Sequence, residues 1–264
     1  VIEVTQGNSP IVLGLPHTGT DIPSDVSACL NDTGRAMADT DWHIHQLYSD
    51  LGLDLTRVRT PIHRYVIDVN RAPDDVSLYP GLNTTGLCPL TDFDGDAIYH
   101  DGKEPDDREI ARRKALYHQP YHAALAAELE RVRDKYGVAI LYDCHSIRSV
   151  IPYLFDDTLP DFNIGTNSSR SCAASVEKSV HTRCRAATSY SCVLNGRFKG
   201  GFTTRHYGRP EENIHAIQME LAQSTYLDET PPWIYREDKA ARLRPILYRI
   251  LNDLSELIYE RQLR

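Results

Sequence analysis

A chain of 264 residues with 41% hydrophobic and 25% charged content is long enough to bury one large α/β core and is read as a single domain. Its 29 Lys+Arg against 37 Asp+Glu give a formal charge of -8, which repels nucleic-acid phosphates and anionic membrane surfaces over most of the molecule, so an anionic ligand must meet a local basic patch. No stretch approaches the roughly 18 to 20 apolar residues of a membrane span, the start VIEVTQGNSP lacks the charged and apolar regions of a signal peptide, and a soluble, cytoplasmic protein is expected.

Ile11-Val12-Leu13-Gly14-Leu15 reads as a buried strand running into a loop, PHTGTDIP, punctuated by Pro16, Gly19 and Pro23. DTDWHIHQLYSDLG predicts a helix capped by Asp39, Thr40 or Asp41, with Ile44, Leu47, Tyr48 and Leu51 on its apolar face. Two strands are expected next, in DLTRVRT and RYVIDVN. From about Pro80 to Lys103 the chain is rich in Gly, Thr, Asp and Pro and predicts a long surface excursion at the rim of a site. DDREIARRKALYHQPYHAALAAELERVRDKYG predicts a long amphipathic helix, bent or broken at Pro120 and ending at Gly137.

The run Val138 to Tyr142 has the β-branched content of a buried strand and delivers YDCHSIRS at its carboxyl end, where open α/β sheets bind ligands. A helix near Ala173 to Arg185, a short strand SYSCVL, a Gly-rich loop NGRFKGGFTTRHYG, a strand IHAIQMEL and a terminal helix from about Asp238 complete the chain. Strands alternating with helices imply a mixed, mostly parallel sheet with helices on both faces. The six cysteines (Cys29, Cys88, Cys144, Cys172, Cys184, Cys192) lack CxxC spacing, which argues against a zinc ribbon and a disulfide framework and for reduced thiols.

His17 and His145 both follow predicted strands, so a sheet can bring the two imidazoles together, a pairing that suggests a metal. Catalytic zinc commonly takes three protein ligands, often His, His and a carboxylate, and keeps a fourth position for water. His118 and His122, four apart on the long helix, also have chelating spacing, but the neighbouring Tyr117, Tyr121 and Leu125 favour a plain helix face. His43 and His45 are two apart and point to different helix faces.

LPHTGTDIP, DTDWHIHQLY, RYVIDVNRAP, LYDCHSIRS, GGFTTRHYG and AIQMELAQSTYLDE, in this order from about residue 11 to 229, together resemble the N-formylglutamate amidohydrolase (N-formylglutamate deformylase) family. The resemblance implies a zinc-carboxypeptidase-like (phosphorylase/hydrolase-like) α/β fold, distantly related to aspartoacylase and succinylglutamate desuccinylase. It also implies a metal-dependent hydrolase that cleaves N-formyl-L-glutamate to formate and L-glutamate, a late step of one histidine-degradation route.

Carried over residue by residue, the motifs make His17 and His145 zinc ligands. The wider superfamily draws its carboxylate ligand from a Glu three residues after the first His, where this chain has Thr20. Asp21 and Asp41 are the acidic alternatives, and Asp41 is favoured because it falls in the Asp-Trp motif. Glu220 matches the general base, and Asn70 and Arg71 match the pair that holds a substrate carboxylate. Arg148, Arg205 and His206 are expected to grip the second carboxylate of the substrate or steady an oxyanion. Arg64 and Arg209 are expected in ordinary surface salt bridges. Asp143 or a backbone carbonyl is expected to orient the other nitrogen of His145. Cys144, facing away from His145 on a strand, is not expected to be a nucleophile. One zinc per chain is implied, though iron, cobalt or manganese also suit such ligands. Three rival readings are a deacylase of another N-acyl acidic amino acid, a carboxypeptidase acting on peptides, which would need an open groove, and a non-catalytic small-molecule-binding protein on the same scaffold.

Overall fold

A computed structural model describes residues 2–77, 81–260 and 263; Pro80, the expected start of the rim excursion, lies outside them. Among the described residues, seven strands form one sheet: β1 (Glu3–Thr5), β2 (Ile11–Leu15), β3 (Thr56–Arg59), β4 (Ala139–Ile147), β5 (Phe162–Gly165), β6 (Cys192–Leu194) and β7 (Ile214–Ala222), in the spatial order β1-β3-β2-β4-β7-β5-β6. The central strands β3, β2, β4 and β7 are parallel. β1 joins one edge antiparallel, and β5 pairs antiparallel with β7 and parallel with β6. The helices are α1 (Ser24–Ser27), α2 (Asp32–Ala36), α3 (Ile44–Ser49), α4 (Asp107–Arg113), α5 (Gln119–Tyr136), α6 (Ala174–Ala186), α7 (Phe202–Tyr207) and α8 (Glu237–Tyr259). None is long and apolar enough to cross a membrane.

Strand alternation divides the core into two layers. Ile11, Leu13, Ile140, Tyr142, Ile217 and Met219 pack with the apolar faces of α3, α6 and α8. Val12, Ala139, Leu141, Ile214 and Ala216 pack on the other side with Tyr121, Leu125, Leu129 and Val132 of α5. Each fully buried side chain of Val, Leu or Ile size contributes about 1.5–3 kcal/mol. The helices therefore cover both faces, as the alternating pattern implied.

The second of these faces builds the site. Along β4 its residues run Ala139, Leu141, Asp143, His145, and along β7 they run Ile214, Ala216, Gln218, Glu220. The apolar half of each series lies under α5, and the polar half emerges at the carboxyl ends. Register sets His145 directly beside Glu220. β4 continues to Ile147, so YDCHSI lies within the strand rather than after it.

Three of the expected elements differ in the structure for identifiable reasons, while the long helix is interrupted next to Pro120 and ends at Gly137 as expected. RYVIDVN makes turns instead of a strand. Its buried Asp68 accepts the Asn70 N–H at 2.8 Å and its carbonyl accepts the Arg71 N–H at 3.1 Å, so local bonds replace a ladder. The helix expected from Asp39 to Asp41 begins only at Ile44, because the Asp41 N–H donates to His17 O at 3.0 Å and His43 takes a left-handed φ of 59°.

The long helix contains a π turn at Lys114–His118. Pro120 offers no N–H to the preceding turn, and the wider π turn accommodates the interruption. The helix ends at Gly137, whose φ of 80° and N–H bond to Arg133 O close it. Finally, the Gly-rich segment holds α7, with Thr203, Thr204 and Tyr207 buried on one face.

Candidate metal centre and substrate pocket

His17, two residues beyond β2, Asp41, ahead of α3, and His145, on β4, form the single group of three or more potential metal donors among the described residues. All three are buried, and their donor atoms lie within 4.8 Å of one another. His17 Nδ1 and His145 Nδ1 are 3.2 Å apart, Asp41 Oδ2 is 3.3 Å from His145 Nδ1, and it is 3.9 Å from His17 Nδ1. Tetrahedral ligands 2.0–2.1 Å from zinc are separated by about 3.3 Å. Donor type and spacing thus fit a zinc-sized divalent ion. The other acidic alternative, Asp21, is exposed, and its backbone is tied to Pro61 and His63.

Each imidazole has a carboxylate behind it. His17 Nε2 lies 2.6 Å from Asp68 Oδ1, and His145 Nε2 lies 3.1 Å from Asp143 Oδ2. Such partners fix the ring orientation and leave the opposite nitrogen to a metal. Asp143 is itself steadied by the Thr204 hydroxyl of α7 at 3.2 Å.

Electrostatics set the two imidazoles apart: burial opposes charge on His145, yet Asp143 and Asp41 beside it hold it well above its ordinary value, and His17 shifts the other way. Burial and the Arg64 guanidinium bring His17 down to about 4, so Nδ1 is an unprotonated donor at neutral pH. Burial opposes charge on Asp41, yet the His145 hydrogen bond and the nearby His17 and Arg64 hold its carboxyl below the usual range. Burial likewise opposes charge on Asp68, but His17, Arg71 and Arg64 keep it well below that range. Cys144 turns to the opposite face of β4, and burial pushes its thiol well above its ordinary value.

Glu220 sits beside this group, 7% exposed. Burial raises its carboxyl to about 8; His145 and Arg64 oppose the rise and Asp41 adds to it. Its Oε2 accepts from Gln218 Nε2 at 3.2 Å, while Gln218 Oε1 accepts the Gly201 N–H at 2.8 Å. The orientation of Glu220 is therefore set by the neighbouring side chain on its own strand.

The pocket in front of these groups encloses about 610 Å³ of empty space, open solvent included, and is lined by His17, His145, Glu220, Gln218, Asn70 and three arginines, Arg64, Arg71 and Arg197. Asn70 and Arg71, the pair singled out by the resemblance, both line its wall. Arg148, Arg205 and His206 are not in its wall. β4 stops at Ile147, and Arg148 beyond it bonds Asp94 at 2.7 Å, with Asp39 at 3.7 Å. Arg205 and His206 lie on the face of α7 opposite the buried Thr203, Thr204 and Tyr207; Arg205 Nε donates to Gly200 O, and His206 stacks on Phe202.

Arg64 is not in a surface salt bridge but is buried. Its Nη2 contacts His17 Nδ1, stands 4.0 Å from both Asp41 and Asp68, and its guanidinium lies over the Phe93 ring at 4.9 Å. Arg71 is fixed by Thr85, whose carbonyl accepts from Nε at 2.8 Å. Arg197, from the connection between β6 and α7, donates to Leu154 O at 3.1 Å and Asn83 O at 3.0 Å. The signal for Arg64 was Asp68: a carboxylate inside the apolar run VIDV must be paired when buried, and Arg64 precedes it by four residues. Arg197 carried no comparable signal.

A family model described as N-formylglutamate amidohydrolase matches residues 9–227. The N-formylglutamate deformylase of Pseudomonas aeruginosa is 46% identical over 256 residues, 96% of each chain. That of Pseudomonas putida is 46% identical over 257 residues, 96% of this chain and 95% of its own. The crystal structure of N-formylglutamate amidohydrolase from Ralstonia eutropha JMP134 superposes with a TM-score of 0.82 at 23% identity, covering 98% of both chains, so the two share a fold.

Proposed function

Because this chain belongs to the N-formylglutamate amidohydrolase family, we propose that it hydrolyses N-formyl-L-glutamate to formate and L-glutamate, using a divalent ion, zinc first among the candidates, held by His17, Asp41 and His145. The observation that carries this reading is the convergence of two imidazole nitrogens and a carboxylate oxygen at ligand spacing, beside Glu220 on the adjoining strand. When bound, the ion supplies Lewis acidity toward the formyl oxygen and an acidified water.

The protein groups divide the remaining work. Glu220, whose carboxylate form the positive charge of a bound ion would favour over the burial that opposes it, takes the proton of the attacking water and returns it to the departing amine nitrogen. Arg64, the cation nearest the ligand atoms, faces the charge that develops on the formyl oxygen. Arg71 and Arg197 enter the pocket from separate connections and suit the two carboxylates of the substrate, since a guanidinium matches a carboxylate through two parallel hydrogen bonds. Asn70 lies at the same wall.

The test is a screen of N-formyl-, N-acetyl- and N-succinyl-glutamate and -aspartate, before and after chelation, with bound metal measured in parallel. N-formyl-L-glutamate is expected to turn over fastest, and removing the ion to cost about a thousandfold or more, a loss of several kcal/mol of transition-state stabilisation, restored by zinc. Full speed after thorough demetallation, or faster turnover of an acetyl or succinyl substrate, would sink this reading.

A further inference from the structure

Asn70 and Arg71 lack the ladder bonds that fix β4 and β7, because residues 69–71 lie in turn and bend. Something else must hold them. Outside the set of residues that line the pocket stand His118, which closes the π turn, and His122, one turn later on α5, their ring centroids 4.4 Å apart. Chelating spacing notwithstanding, neither belongs to the donor group found among the described residues. Each aims Nε2 at a backbone carbonyl: His118 lies 2.9 Å from Arg71 O, and His122 lies 2.8 Å from Val69 O. The two carbonyls bracket Asn70.

A carbonyl only accepts, so Nε2 must carry the proton in both rings. Burial favours the neutral form in each, bringing His122 to about 3 and His118 below its ordinary value. His122 reaches further. Its Nδ1 is 3.0 Å from the Tyr207 hydroxyl of α7, and the start of that helix grips Asn70 from the pocket side. Thr203 N–H donates to Asn70 Oδ1 at 2.9 Å. Gly201 allows the approach, since a Cβ there would fall 2.3 Å from Asn70 Nδ2. The π turn required near Pro120 leads directly into this pair, in keeping with the frequent placement of such turns at functional sites.

We propose that His118 and His122 are positioning residues that clamp the Val69–Arg71 backbone so that Asn70 and Arg71 meet the substrate. The assignment rests on the functional reading above only for what Asn70 and Arg71 hold. Neither imidazole touches substrate; they act through the carbonyls on either side of Asn70.

The experiment compares His118→Phe and His122→Phe, which remove the donors, with His118→Gln and His122→Gln, which keep an amide N–H. In the phenylalanine variants KM for N-formyl-L-glutamate is expected to rise about tenfold, the scale of one lost bond to a buried carbonyl, with kcat within about threefold and bound metal near stoichiometric. The glutamine variants should return KM to within about threefold of wild type. Unchanged KM in both phenylalanine variants, or no recovery with glutamine, overturns the proposal. If a phenylalanine variant fails to fold, its asparagine counterpart, polar but too short to reach the carbonyl, takes its place. Amide hydrogen exchange over residues 66–73 reads the clamp without substrate: faster exchange at Asn70 and Arg71 in His122→Phe, reversed in His122→Gln, is expected, and unchanged exchange overturns the clamp. A wild-type protein that releases no formate would defeat the functional reading while leaving exchange to decide the clamp.

Discussion

The strand ends and the arginine rim of the pocket are built by different means. His145 and Glu220 sit on β4 and β7, where nine-residue parallel pairing leaves one register and therefore one neighbour for each side chain. Arg64, Arg71 and Arg197 sit on connections, and each is held by a few individual contacts: an ion pair with Asp68 at 4.0 Å, a hydrogen bond to Thr85, and hydrogen bonds to Leu154 and Asn83. A strand transmits its geometry through many equivalent bonds, so no single side chain decides it. A connection depends on a few, so its precision is concentrated in residues such as Asp68 that touch no substrate.

The largest effect should come from the strand side. Glu220→Gln keeps the shape and the neighbours of the group but removes its capacity to take a proton. It is expected to retain near-stoichiometric metal and lose at least about a hundredfold in kcat, the usual size of a general-base contribution. Formate release and metal analysis on the same sample check this, and near-normal turnover would remove Glu220 from the chemistry.

Asp68 breaks the division between the two regions, because it lies on a connection yet supports both. Its Oδ1 holds His17 Nε2 at 2.6 Å, and its Oδ2 faces Arg64 and Arg71 at 4.0 and 3.9 Å. Asp68→Asn preserves size but not charge, and metal affinity is expected to fall roughly ten- to a hundredfold, the range for lost partners of metal-bound histidine. Titration with a competing chelator measures it. An unchanged affinity would mean that the ligand set is independent of the connection.

The same contrast explains what could be read from the sequence. The fold was legible because short continuous apolar runs such as IVLGL and alternating ones such as IQMEL mark strands, and alternating strands and helices fix the layers. His17 and His145 were legible because strand ends are few and parallel order brings them to one side, whereas Glu220 was singled out through the family resemblance. RYVIDVN looked like a strand by composition, and only the local bonds of Asp68 convert it to turns. Arg205 and His206 looked apt beside their glycines, but GGFTTRHYG winds into α7 and turns them away. Arg197 was invisible because the packing of its connection against Leu154 and Asn83 leaves no periodic trace.

Arg197 also offers the finest test, and the smallest expected effect. Its guanidinium is oriented through Nε and Nη2 by two backbone carbonyls and lies over Phe198 at 5.3 Å. Arg197→Lys keeps the charge but cannot present two parallel N–H bonds, so KM for N-formyl-L-glutamate is expected to rise about tenfold while kcat stays within about threefold. The companion substrate N-formyl-L-glutamine decides which carboxylate is held. If Arg197 grips the side-chain carboxylate, wild type and variant should bind the glutamine analogue equally weakly. If it grips the α-carboxylate, the variant should lose the same factor with both. Equal KM for N-formyl-L-glutamate in the two proteins would place the second carboxylate elsewhere on the rim.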